Sequence, residues 1–298
     1  MEPLTAKRFR LATGAWTVQR FVIAVCFLLF LACQVSAQPA RDAQFSQAAK
    51  AVLDRDFSGP EISYLLLDSS GGVLAARWPA QPAIAPGSLV KPFLAIAYGE
   101  QHAGQFPTVR CMGARTRCWL PAGHGNIGLE EAIAQSCNTY FLDLANDLDR
   151  KRAARSFAHY GLAGPPENAT SENLVGLGAA WKESPLALAR AYLTIEKEQR
   201  SVLQSRIVKG MIASAQFGTA RAVDAVLGRN AALAKTGTAV CSHTPRASAD
   251  GLTVVLYPAA QPRLLLLVRV HGVTGAASAR VAGQMLRSLG AGESAASR

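Results

Sequence analysis

The chain has 298 residues, half of them hydrophobic, and a formal net charge of +11. So much apolar sequence supports a sizeable globular core and excludes a disordered or low-complexity chain. The basic balance suits an anionic envelope polymer or membrane surface, or solubility alone, but no Lys/Arg-rich block with interleaved aromatics appears, so no nucleic-acid partner is expected.

In chain order, Lys7, Arg8, Arg10 and Arg20 precede an apolar run from Phe21 to Cys33, and the small residues Val35-Ser36-Ala37 follow. Residues 1–37 therefore read as a secretory signal peptide. The run is short for a membrane span of about 20 residues. An exported, periplasmic or cell-envelope protein is expected. The alternatives are an anchor retained over residues 21–37 and a lipoprotein-type cleavage at Leu31-Ala32-Cys33. Residues 38–60 read as a polar linker, 61–290 as the domain and 291–298 as a polar tail.

Ile62 to Asp68 and Val73 to Trp78 are apolar runs around the turn Ser69-Ser70-Gly71-Gly72, which predicts a β-hairpin. Pro86-Gly87 then introduces a helix from Ser88 to about Glu100, with Ser88 as N-cap or first-turn residue. Residues 104–128 are rich in Gly, Pro and Cys, while Leu129 to Leu148 has helical spacing interrupted at Ser136-Cys137-Asn138. Further helices are predicted over Arg150 to Tyr160, Ser184 to Glu198 and Arg206 to Ala215. Strands return at Ala234 to Cys241, Leu252 to Tyr257 and Arg263 to Val270, and a helix from Ala276 to Leu289 closes the domain. Strands at both ends with helices between them predict an α+β fold around one antiparallel sheet.

Outside the signal lie Cys111, Cys118, Cys137 and Cys241. In an oxidising compartment the first two are spaced to close a small loop by a disulfide, and the other two read as buried thiols. His102, His124, His159, His243 and His271 form no familiar metal-ligand spacing, so neither a metal nor a cofactor is expected.

Three short stretches carry chemistry. One helical turn separates Ser88 from Lys91, which sets an amine beside a hydroxyl, a nucleophile with its base, provided that burial or nearby positive charge keeps the amine neutral. Ser136 and Asn138 supply a hydroxyl to relay a proton and an amide to hold the lysine or a substrate carbonyl. Lys235-Thr236-Gly237-Thr238 opens a strand with groups that bind a carboxylate and a glycine that lets a substrate approach closely. Alone, each reads as readily as a helix cap, a polar helix boundary or a guarded strand edge.

In this order and separation, Ser-x-x-Lys at 88, Ser-x-Asn at 136 and Lys-Thr-Gly at 235 resemble the penicillin-binding transpeptidase domain, within the serine acyl-transferase superfamily that includes serine β-lactamases. Gly123-His124-Gly125 before Glu130 to Phe141, and Ser184-Pro185-Leu186-Ala187-Leu188-Ala189-Arg190-Ala191-Tyr192, are also similar to that family. The resemblance spans most of residues 61–289 and implies a five-stranded antiparallel sheet flanked by helices, with an inserted helical subdomain. It implies Ser88 as nucleophile, Lys91 as base, Ser136 as proton shuttle and Asn138 as support for Lys91. It further implies Lys235, Thr236, Gly237 and Thr238 at the substrate carboxylate, with an oxyanion hole from the Ser88 and Thr238 N–H groups. The Lys235 charge would help keep Lys91 neutral. The implied ligands are D-Ala-D-Ala stem peptides of peptidoglycan, with β-lactams as covalent inhibitors and a cell-wall protein as partner.

The resemblance leaves open a transpeptidase, a DD-carboxypeptidase, a β-lactamase and a non-catalytic β-lactam or muropeptide sensor. Asn138 fits the penicillin-binding proteins and the class A β-lactamases, but Glu167-Asn168-Ala169-Thr170 does not match the class A Glu-x-x-Leu-Asn loop. The expectation is a transpeptidase or carboxypeptidase without an N-terminal pedestal domain.

Overall fold

A computed structural model describes residues 43–78, 83–241 and 249–291. The signal segment, the start of the linker and the tail after residue 291 lie outside the described residues. The chain divides into residues 1–46 and 47–298, and the second unit carries the fold.

Five strands form one antiparallel sheet in the order β2-β1-β7-β6-β5. They are β1 (Ile62–Asp68), β2 (Val73–Arg77), β5 (Leu233–Ala239), β6 (Asp250–Tyr257) and β7 (Leu264–His271). A separate two-stranded ribbon pairs β3 (Val109–Cys111) with β4 (Gly125–Ile127). The helices are α1 (43–56), α2 (Lys91–Gln101), α3 (Leu129–Ala134), α4 (Asn138–Asn146), α5 (Arg150–His159), α6 (Ser171–Leu174), α7 (Pro185–Lys197), α8 (Val202–Gln216), α9 (Arg221–Leu227) and α10 (Gly275–Ser288).

The central strands are near-continuous apolar runs because both faces of the sheet are covered. Side chains alternate across a strand, so Leu65 and Leu67 of β1 join Leu265 and Leu267 of β7 in one core, while Tyr64 and Leu66 join Leu266 and Val268 in the other. The first core lies against α2, α4, α7 and α8, and the second against α1, α9 and α10. This is a three-layer arrangement with the sheet in the middle.

The hairpin, the main strands and α7 lie close to their expected places. Ser184 caps α7 by accepting from Ala187 N–H, and Pro185 occupies its first turn, as the Ser-Pro pair predicts. Residues 43–56, read from the sequence as linker, are helical. Ala49 and Leu53 enter the core, and Tyr64 donates a hydrogen bond to Asp54 at 2.7 Å, so order begins before Glu61. Among the described residues no helix is long and apolar enough to cross a membrane, and residues 21–37 lie outside them.

Candidate active site

Ser88 lies on a short 3-10 turn, Gly87–Val90, that runs directly into α2. No side chain caps either element, so the Ser88 hydroxyl is not spent as a helix cap, and it makes no hydrogen bond among the described residues. The turn is fixed from both sides. Tyr192 of α7 donates to the Leu89 carbonyl at 2.6 Å inside the core. On the other side Gly87 has a φ of +56°, and a Cβ there would sit 2.7 Å from the Thr238 carbonyl of β5. Only glycine permits both that backbone and that approach.

Helix α2 is buried on nearly all sides, from Lys91 through Gly99, as expected of a helix with apolar residues around its circumference. Lys91, at its first position, is therefore carried into the interior and is fully buried. Its Nζ donates to the Ser136 carbonyl at 2.8 Å and to Asn138 Oδ1 at 2.6 Å, with Ser136 Oγ at 3.5 Å. Burial lowers its pKa from 10.5 to about 7, against the opposing influence of the Cys137 and Cys118 sulfurs. A neutral amine has two N–H groups and one lone pair; the two short bonds use the N–H groups and leave the lone pair for a hydroxyl proton.

Ser136 occupies the break between α3 and α4 with a φ of +52°. The left-handed conformation is unfavourable for a residue with a Cβ and is typical of functional turns. Ser136 and Cys137 N–H groups donate to the Ile133 and Ala132 carbonyls, which holds the turn closed. Ser136 then faces two lysines at once, since its Oγ also accepts from Lys235 Nζ at 2.8 Å.

Lys235 is fully buried, and its second hydrogen bond goes to the Thr236 carbonyl at 2.7 Å. Its pKa falls well below the ordinary value, first through burial and then through Lys91. Burial, not the charge of Lys235 alone, is thus the first cause at both amines, and the repulsion between the two adds to it at Lys235. Nor does Lys235 face the open cleft. It reaches the site through Ser136.

The cleft holds about 420 Å³ and is lined by Ser88, Ser136, Asn138, Thr236, Gly237 and Thr238, with Trp119, Leu177, Thr219, Thr274 and Ala276 as further walls. Thr236 donates to Thr219 Oγ1 at 2.6 Å. Thr238 Oγ1 accepts from Gly275 N–H at 2.9 Å, which leaves its own O–H free to donate into the cleft. Among the described residues no carboxylate lines it. Glu167 lines a different cavity, of about 570 Å³, with Asp149, Arg150 and Lys151. The residues singled out from the three motifs therefore converge, although no hydrogen bond joins Ser88 to Lys91 among the described residues.

Sequence reasoning missed the walls Trp119 and Leu177 and the Tyr192 anchor, for which only the similarity of the α7 stretch gave a signal. Cys137 is a buried thiol, as expected, but the disulfide expected between Cys111 and Cys118 is not formed. Cys111 and Cys118 are free thiols that both face His124, with no disulfide between them, and Cys137 lies beside them.

A family model for the penicillin binding protein transpeptidase domain matches residues 67–289. No curated protein matches the chain. Among solved structures, PBP2 of Pseudomonas aeruginosa is similar with 20% identity and a TM-score of 0.66, over 84% of this chain and 74% of that one. The transpeptidase domain of penicillin-binding protein 3 from Burkholderia pseudomallei has 16% identity and a TM-score of 0.65, over 84% and 92%. PBP2 of Helicobacter pylori, solved with MreC, has 16% identity and a TM-score of 0.68, over 81% and 62%.

Proposed function

The chain belongs to the penicillin-binding protein transpeptidase family, and on that footing we propose that it is a serine acyl-transferase acting on D-Ala-D-Ala stem peptides of peptidoglycan. The observation that carries the reading is the buried, neutral-leaning Lys91, tied to Ser136 and Asn138 at the base of the Ser88 turn.

The Ser88 hydroxyl oxygen attacks the acyl carbonyl and passes its proton to Lys91 Nζ. The free hydroxyl and the lone pair left on Lys91 suit this step, and the gap between them closes as the substrate settles, since catalytic hydrogen bonds are often loose in a free enzyme. The Ser88 and Thr238 N–H groups receive the oxyanion, an arrangement in which one lost donor costs about a hundredfold to a thousandfold in rate. As the tetrahedral centre collapses the C–N bond breaks, and Ser136 Oγ passes a proton to the leaving amine while drawing one from the lysines beside it. The free O–H of Thr238 donates to the substrate carboxylate, and Thr236 joins it by turning its O–H from Thr219. An amine then resolves the ester in transpeptidation, or water in carboxypeptidation.

Among the described residues no carboxylate lines the cleft, which argues against a class A β-lactamase with its acidic residue on the deacylating water, and a complete set of candidate reacting groups argues against a sensor. A partner protein fits the reading, since the similar PBP2 of H. pylori is solved in complex with MreC.

The test is to incubate the purified full-length chain with a fluorescent penicillin and follow it by mass spectrometry. One adduct on Ser88 that persists for hours is expected, and Ser88→Ala should abolish it while the circular dichroism spectrum is unchanged. Rapid turnover of the penicillin, or labelling that survives Ser88→Ala, would refute the proposal.

A further inference from the structure

Beside the second motif, four side chains that the acyl transfer does not use converge from four segments. Cys111 ends β3, Cys118 follows the turn Gly113–Thr116, His124 precedes β4, and Cys137 is the N-cap of α4. The pairing of Cys111 with Gly125 across the ribbon brings the first and third segments together. Each residue offers one donor atom, and all four atoms lie within 4.8 Å of one another.

The spacing identifies what fits among them. Cys111 Sγ and Cys118 Sγ lie 3.5 and 3.4 Å from His124 Nδ1, and Cys118 Sγ lies 3.8 Å from Cys137 Sγ. In a tetrahedral zinc site, with Zn–S of about 2.3 Å and Zn–N of about 2.05 Å, the S···S edges are about 3.8 Å and the S···N edges about 3.6 Å. Three edges of the cluster thus have the lengths that a bound zinc requires. A disulfide, by contrast, needs sulfurs about 2.05 Å apart. Hydrogen bonding accounts less well for the cluster, because a single imidazole nitrogen, with either one proton or one lone pair, makes one such bond and here faces two sulfurs.

We propose that Cys111, Cys118, His124 and Cys137 form a closed Cys3His zinc site that holds the second motif and the Trp119 wall of the cleft in their working positions. The three thiols would release three protons to solvent on binding and no electrons would move; His124 would ligate through Nδ1 and keep its proton on Nε2. Four protein ligands leave no open coordination position, which makes the site structural rather than catalytic.

The coupling to the cleft follows from connectivity. Cys137 is the residue between Ser136 and Asn138, so fixing its sulfur fixes both neighbours, including the left-handed backbone of Ser136. Trp119 is the residue after Cys118, and its indole N–H donates to the Gln135 carbonyl at 2.9 Å. Asn138 Nδ2 donates to the Arg117 carbonyl at 3.3 Å, and Thr139 Oγ1 lies 3.3 Å from Cys111 Sγ. The ligand loop and the motif are therefore stitched together on both sides of the cluster. The link to acylation rests on the function proposed above, whereas the metal site does not.

Elemental analysis of the purified full-length chain, prepared without reductant or chelator, should find about one zinc per chain. Replacing it with Co2+ should give thiolate-to-cobalt charge transfer and the intense visible bands of a tetrahedral site. Cys118→Ser and His124→Asn should each weaken binding about tenfold or more. Stripping the metal should slow penicillin acylation about tenfold or more, and zinc should restore it. Ser88→Ala should lose labelling but keep its zinc, so that failure of the metal site and failure of the acyl-transfer reading are separable. The metal site is refuted if the chain takes up no zinc after dialysis against it, whether its thiols are then found free or Cys118 and Cys137 are found as a disulfide. Zinc retained at full affinity in both variants refutes the ligand assignment. An acylation rate indifferent to zinc refutes the coupling. Should a variant fail to fold, the cobalt spectrum of the unaltered chain decides.

Discussion

The pH dependence of acylation is the sharpest test of the role given to Lys91. Burial penalises the ammonium form, so the amine loses its proton near pH 7 rather than at its ordinary value of 10.5. Only the neutral amine can take the Ser88 proton, so the second-order rate constant for fluorescent penicillin should follow the neutral fraction. That fraction is about 10% at pH 6 and about 90% at pH 8 for a pKa of about 7. A stopped-flow or gel-based time course should therefore show about a tenfold rise between these values and a plateau above. A solvated lysine would give about a hundredfold rise over the same interval, with no plateau before pH 10. Lys91→Arg keeps a positive charge but cannot deprotonate, and should slow acylation by about a thousandfold or more. A flat profile from pH 6 to 8, an inflection above pH 9, or full activity in Lys91→Arg would refute the reasoning.

Three further outcomes are expected. Tyr192→Phe leaves the buried Leu89 carbonyl without its donor, a loss of about 1 to 3 kcal/mol, read as a fall in the thermal midpoint of several degrees together with slower labelling of Ser88. Gly87→Ala forces a Cβ towards the Thr238 carbonyl in a left-handed backbone; circular dichroism melts should show destabilisation of about 1 kcal/mol or more, and acylation should drop with it, whereas wild-type behaviour would mean that the turn is not fixed as described. Glu167→Gln should leave the lifetime of the penicillin adduct unchanged, since Glu167 lines another cavity; a much longer lifetime would identify it as a deacylating base.

The parts of the fold that could be read from sequence are those where local chemistry and burial agree. The strands of the two-faced sheet are apolar at successive positions and end at turn residues, so β1 begins and ends where its apolar run does. The Ser184-Pro185 start of α7 is legible for the same reason. Helix α1 was not, because only Ala49 and Leu53 among its residues are buried, and so sparse an apolar stripe looks like linker. The ribbon of β3 and β4 has strands of three residues, too short to show a period. At the site, motif order located the residues that converge around the cleft but not the direction each side chain takes. Lys235 turns inward to Ser136 Oγ, a fact set by the position of the α3–α4 break rather than by its own neighbours. The Cys and His cluster was missed because its ligands come from the ribbon, two loops and a helix cap, with separations longer than those of a compact zinc finger.

The site is costly for the fold, and the cost explains its surroundings. A lysine whose pKa falls from 10.5 to about 7 destabilises the folded chain by roughly 5 kcal/mol near and below pH 7, because the unfolded state binds a proton that the folded state gives up. That penalty declines as pH rises from 7 towards 10.5, where the unfolded lysine also becomes neutral. Lys235, equally buried, adds to it, and the left-handed Ser136 adds strain of about 1 to 3 kcal/mol. A turn carrying such stress needs its geometry imposed from outside. Leu89 is tied to Tyr192, Gly87 is wedged against β5, and Ser136 is bracketed by the closed turn of α3 and, on our proposal, by a metal on Cys137. Fixed contacts thus collect around strained and buried polar residues, as expected where two buried amines, both pushed towards neutrality, must be held beside two hydroxyls before a substrate arrives.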